Sequence, residues 1–115
     1  MKMMIADTEV KAAWENNPSV RVLEEMCKDK PLTIQMSRYG GFEQVGSIGK
    51  SLPRKDIQMR TSPGDIVLYY GSQMVMFYGS NSWAYTKLGK ITGCSERELK
   101  KLLGTKDVTV TLDAR

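Results

Sequence analysis

Pro63-Gly64-Asp65-Ile66-Val67-Leu68-Tyr69-Tyr70-Gly71-Ser72-Gln73-Met74-Val75-Met76-Phe77-Tyr78-Gly79 is the most informative stretch of the chain. Two apolar arms, 65–70 and 73–78, flank Gly71-Ser72, a pair suited to a two-residue type II′ hairpin turn. Both arms are apolar on consecutive residues, so both faces of this hairpin are expected to be covered. On either side the pattern changes to strict alternation. Leu32, Ile34 and Met36 alternate with Thr33, Gln35 and Ser37, and Val108, Val110 and Leu112 alternate with Thr109 and Thr111. Segments 3–6 and 9–14 flank Asp7-Thr8 and read as an N-terminal hairpin, with Val10, Ala12 and Trp14 on one face.

Two segments break the strand pattern. Asn17 offers an N-cap with Pro18 at the first helical position, where its missing N–H costs nothing. Val20, Val22, Leu23, Met26 and Cys27 then share one side of a helical wheel. Arg21, Glu24, Glu25 and Lys28 take the other side, with Glu24 and Lys28 spaced for an ion pair. The second helix opens on the capping box Ser95-Glu96-Arg97-Glu98, presents Leu99, Leu102 and Leu103 as its apolar stripe, and stops at Gly104. Many short strands with two helices outside them point to a mainly β chain folded as a closed or nearly closed barrel.

The 115 residues fit a single domain, 1–115, with enough chain to build one core. Hydrophobic residues at 41% and charged residues at 26% argue against disorder. No apolar run reaches the ~20 residues of a membrane helix. The N-terminus is charged too early for a secretory leader, so a cytoplasmic location is expected. Histidine is absent, which removes Ser-His, Cys-His and imidazole–metal chemistry. Cys27 and Cys94 stand 67 positions apart without further ligands, so two reduced thiols and no metal site are expected. The sequence calls for no cofactor.

The net charge is +4 and the pI about 9.1, but the basic residues are mostly single and dispersed. That pattern describes a solvated surface better than a nucleic-acid footprint. Gly46-Ser47-Ile48-Gly49-Lys50-Ser51 ends like a phosphate-binding loop, but Gln44 stands where the first glycine belongs and Pro53 precludes the helix that should follow. Glu43 and Asp65 are the two central acids; either could pair with Arg38 or Arg54, and a structural role is expected of Asp65. Methionines at core positions are read as filling. Tyr69, Tyr70, Phe77, Tyr78, Trp83 and Tyr85 are too many for alternation to bury, and they suggest an apolar groove with polar groups at its rim. Trp83 follows the polar segment 79–82 and is expected in a loop at that rim rather than as a plug of the barrel.

Several words of the central region resemble a known family. Tyr39-Gly40-Gly41-Phe42-Glu43 and Val45-Gly46-Ser47-Ile48-Gly49 precede Ser51-Leu52-Pro53-Arg54. Pro63-Gly64-Asp65-Ile66-Val67-Leu68-Tyr69, Phe77-Tyr78-Gly79-Ser80-Asn81-Ser82-Trp83 and Leu88-Gly89-Lys90-Ile91 follow. In this order they resemble the small bacterial cyclophilin-like domains, over almost the whole chain. The resemblance implies a closed eight-stranded cyclophilin-type barrel with two flanking helices. True cyclophilins isomerise prolyl bonds with an arginine beside a Phe-x-Met-x-Gln strand and a pocket holding tryptophan and histidine. Neither that word nor any histidine occurs here, so the catalytic set is not carried over.

Three functions are consistent with these features. The first is a binding module taking a small molecule or extended peptide in a groove lined by Tyr39, Tyr78, Trp83 and Tyr85, with Glu43, Arg54 and Asn81 supplying polar contacts. The second is a prolyl isomerase in which Arg54 would weaken amide resonance. The third is single-stranded nucleic-acid binding through stacked rings and basic side chains, which the dispersed charge disfavours. No membrane partner is expected.

Overall fold

The computed structural model describes residues 1–115. In chain order its elements are β1 Lys2–Ile5, β2 Thr8–Trp14, α1 Pro18–Met26, β3 Leu32–Gln35, β4 Ser37–Tyr39 and β5 Glu43–Ser47. They continue with β6 Ile57–Arg60, β7 Asp65–Tyr69, β8 Gln73–Phe77, β9 Ser82–Thr92, α2 Glu96–Leu103 and β10 Thr109–Asp113. No helix is long and apolar enough to cross a membrane.

The hydrogen-bonded order is β3-β10-β1-β2-β9-β7-β8-β5-β4, with β6 paired to β9 off this path. All of these pairings are antiparallel. The sheet curls until its two ends meet, because β3 and β4 are separated by Met36 alone. The Met36 N–H still donates to the Val108 carbonyl at 2.9 Å, so the chain bends without losing its partner. Gly46 of β5 lies against the Gln35 carbonyl across the seam, with no room for a Cβ. The result is a nearly closed barrel of ten strands rather than eight. The difference has two physical sources: the bend at Met36 divides one stave into β3 and β4, and β6 is added outside the circuit.

Local chemistry explains most of the elements. Asn17 caps α1 by accepting from the Val20 N–H at 2.9 Å. Val20, Leu23 and Cys27 are buried, whereas Lys28 pairs with Glu25 at 3.0 Å rather than with Glu24. The capping box of α2 is complete: the Glu98 N–H donates to Ser95 Oγ at 3.2 Å and the Ser95 N–H to Glu98 Oε1 at 2.9 Å. Cys27 and Cys94 are both free thiols. The first hairpin turns at Ala6-Asp7, one residue earlier than expected, with Ala6 at φ 51°. The central hairpin turns through Tyr70-Gly71-Ser72 rather than Gly71-Ser72, with Tyr70 at φ 54° and Gly71 at φ 73°. Tyr70 accepts this left-handed conformation, unusual for a bulky residue. Its ring carries the Arg54 guanidinium, 5.5 Å from the ring centre.

Alternation along β7 and β8 sends two sets of side chains in opposite directions. Ile66, Leu68, Met74 and Met76 join the main core with Met3, Ile5, Ile34, Leu88 and Leu112, and α1 and α2 add Leu23, Leu99 and Leu103. Val67, Val75, Phe77 and Tyr85 form a second, smaller cluster outside the barrel wall, flanked by Phe42, Val45, Met59 and Tyr69. Both faces of the central hairpin are therefore covered. The site lies on this outer cluster.

Candidate functional site

The 11-residue strand β9 links wall and site. Its first part, Ser82 to Tyr85, pairs with β6, while Thr86 onward pairs with β7. Trp83 is thus the second residue of a strand, opposite Met59, rather than part of a loop. The approach to β9 is clamped: the Thr61 N–H donates to the Asn81 carbonyl at 2.8 Å and the Asn81 N–H to Thr61 Oγ1 at 2.9 Å. This fixes the Asn81 side chain, whose Nδ2 donates to the Tyr85 hydroxyl at 2.9 Å. The Tyr85 ring meets Phe77 and Tyr69 edge to face, at 5.8 and 6.2 Å between centres.

A cavity of about 470 Å³ opens on this face. Of the residues expected from sequence, Tyr39, Glu43, Asn81, Trp83 and Tyr85 line it together. Tyr69, Gln73, Val45 and Val75 complete the lining. Tyr69 belongs to the aromatic set that pointed to a groove; Gln73, Val45 and Val75 were missed, although Val45 is two residues from Glu43 on the same strand face. Their convergence depends on the registers Val45↔Val75 and Tyr69↔Gln73, which bring separate strands together.

Two expected residues lie elsewhere. Tyr78 follows the outward-facing Phe77, so alternation turns it away; it packs against the main core and faces Gly104 beyond α2. Arg54 does not line the cavity. It stacks on Tyr70 and pairs with Asp56 at 3.5 Å. Arg38 is likewise engaged, with Asp107 at 3.6 Å and the Thr105 carbonyl at 3.1 Å. No guanidinium or ammonium lines the cavity.

The two central acids have opposite environments. Asp65 accepts from the Ser62 N–H at 2.9 Å and meets Lys87 and Lys90 at 3.3 and 3.2 Å. Burial pushes its carboxyl up, but the Ser62 N–H and both lysines outweigh burial and hold it below its ordinary value. Its role is structural. Glu43 is only 7% exposed and has neither a hydrogen bond nor an ion pair, and burial alone pushes its carboxyl up to about 7. Tyr85 is also pushed up, by burial first and by the nearby Glu43 charge, against a lowering contact from Asn81.

The fold and the order of the sequence words agree with a family model described as "Cyclophilin-like family", which matches residues 3–113. The chain belongs to the cyclophilin-like family. No curated protein and no solved structure matches it. Family membership accounts for the barrel and leaves the chemistry to the site, because one fold hosts many functions. In this cyclophilin-like chain the cavity offers aromatic walls, two amides and one carboxyl poised near neutrality. It offers no cysteine, serine or lysine nucleophile.

Proposed function

We propose that this cyclophilin-like chain is a binding module that takes a small molecule or an extended peptide group in the groove between Trp83 and Glu43. The observation that carries this reading is Glu43 itself: a residue only 7% exposed, whose carboxyl has no hydrogen bond or ion pair and opens onto an apolar cavity. Partial burial disfavours the charged form of this carboxyl, and groups perturbed in this way are concentrated at functional sites. A ligand that donates to Glu43, or that sets a positive charge beside it, would offset that penalty. The rigid wall of β5, β7, β8 and β9 supports a pre-formed pocket, which reduces the ordering cost of binding.

A screen of metabolites and short peptides by thermal shift tests this reading, with the NMR signal of the Trp83 indole N–H as the site-specific readout. The expected result is a set of compounds that raise the melting temperature with concentration and perturb Trp83. Uniformly null shifts in a protein that melts cooperatively would overturn it.

A further inference from the structure

We propose that the group received by the groove is an alkylated ammonium, held between the Glu43 carboxylate and the rings of Tyr39, Tyr69, Trp83 and Tyr85. This rests on the binding reading above and names the chemical class of its ligand. Four aromatic side chains and one carboxyl share a single cavity, and no basic side chain enters it. Aromatic faces attract cations electrostatically, tryptophan most strongly, and several rings around one small space favour quaternary and methylated ammonium groups over strongly hydrated ones. The carboxyl supplies the full negative charge that rings lack, and its missing internal partner leaves that charge available to a ligand.

The rest of the molecule sharpens the contrast. The chain carries +4 overall, yet its first-choice charge partners are already taken at Arg38, Arg54, Lys87 and Lys90. The phenol and amide groups that line the cavity with Glu43 are Tyr39 of β4, Tyr69 of β7, Gln73 of β8, Asn81 just before β9 and Tyr85 within it, with no lysine, arginine or second carboxyl. A neutral apolar ligand would leave Glu43 unpaired, and an anionic one would face it directly. An alkylated ammonium matches both the apolar walls and the charge.

Two sources share this chemistry, a free small cation and a methylated lysine side chain on a peptide. NMR titration of the labelled full chain with choline, its neutral isostere 3,3-dimethylbutan-1-ol and a trimethyllysine peptide distinguishes them. The indole N–H of Trp83 reports the groove; that of Trp14, which donates to the Met1 carbonyl at 3.2 Å, serves as the control. Choline should move the Trp83 signal saturably and bind at least about tenfold more tightly than the isostere. Affinity should rise by about tenfold from pH 6 to pH 8 as Glu43 loses its proton, a rise the isostere lacks. Glu43→Gln should abolish both preferences while keeping the fold. If the peptide binds more tightly than choline, the ligand is a modified lysine; if more weakly, a free cation. Equal binding of choline and isostere would overturn the ammonium and leave the groove reading standing. So would failure of every cation when other screened compounds move Trp83. Failure of all compounds would overturn both.

Discussion

Glu43 sits near the midpoint of its titration at neutral pH, and this has a direct consequence for stability. Its carboxyl titrates at about 7 in the fold against 4.5 ordinarily, so the folded state holds a proton that the unfolded chain releases. Stability is therefore fully present below about pH 4.5, falls as pH rises toward about 7, and levels off above it. Glu43→Gln should flatten this slope and make the protein more stable at pH 8 by up to about 3 kcal/mol; urea unfolding across a pH series measures it. Asp65 has the opposite sign. Its folded value is lowered, so its contribution is present above the ordinary 3.8 and is lost as pH falls through the folded value. Asp65→Asn should cost about 2 kcal/mol at pH 7, mostly from the lost charge-assisted bonds, and little in strong acid. Trp83, 55% exposed, belongs to the rim. Trp83→Ala should lower the melting temperature by no more than about 4 °C, roughly 1 kcal/mol for a chain of this size, while weakening any ligand found.

Each helix and strand shows how far local pattern reaches. The cap, apolar stripe and stop of helix α2 were legible, because all three are encoded within ten residues. Ser95→Ala should cost about 1 kcal/mol by chemical denaturation, since it leaves the Glu98 N–H without its acceptor. The side chain that anchors the far end of α2 was not legible. Gln44 Nε2 donates to the carbonyls of Leu103 and Lys106, both at 2.7 Å, a contact spanning some sixty residues. Strand β6 was also invisible: Ile57-Gln58-Met59-Arg60 is mostly exposed and is a strand only because β9 pairs with it. The same nonlocal pairing moved Trp83 from an expected loop into β9. The central turn takes in Tyr70, on which Arg54 stacks, and nothing adjacent in sequence announces that partner. The groove was readable where aromatic words exceeded what alternation could bury. Val45, Gln73 and Val75 required the register, and Tyr78 was misassigned by one step of alternation.

On the scale of the molecule, closure depends on the contact between β5 and the bent segment around Met36. Gly46→Val would drive a side chain into the Gln35 carbonyl and the side chains of Ile34 and Met36. Backbone on one side leaves little room for adjustment, so a loss of at least about 2 kcal/mol is expected; a falling urea midpoint with unchanged slope would confirm it. The same seam has a bearing on self-association. Because residues 32–39 supply both margins of the sheet, a single backbone cut beside Met36 would release β3 and β4 from each other. The wall could then uncurl into a ribbon with two bare rows of N–H and C=O groups. Such rows template the addition of strands from other copies. One uncut peptide segment thus stands between a nearly closed barrel wall and a surface on which the chain could polymerise.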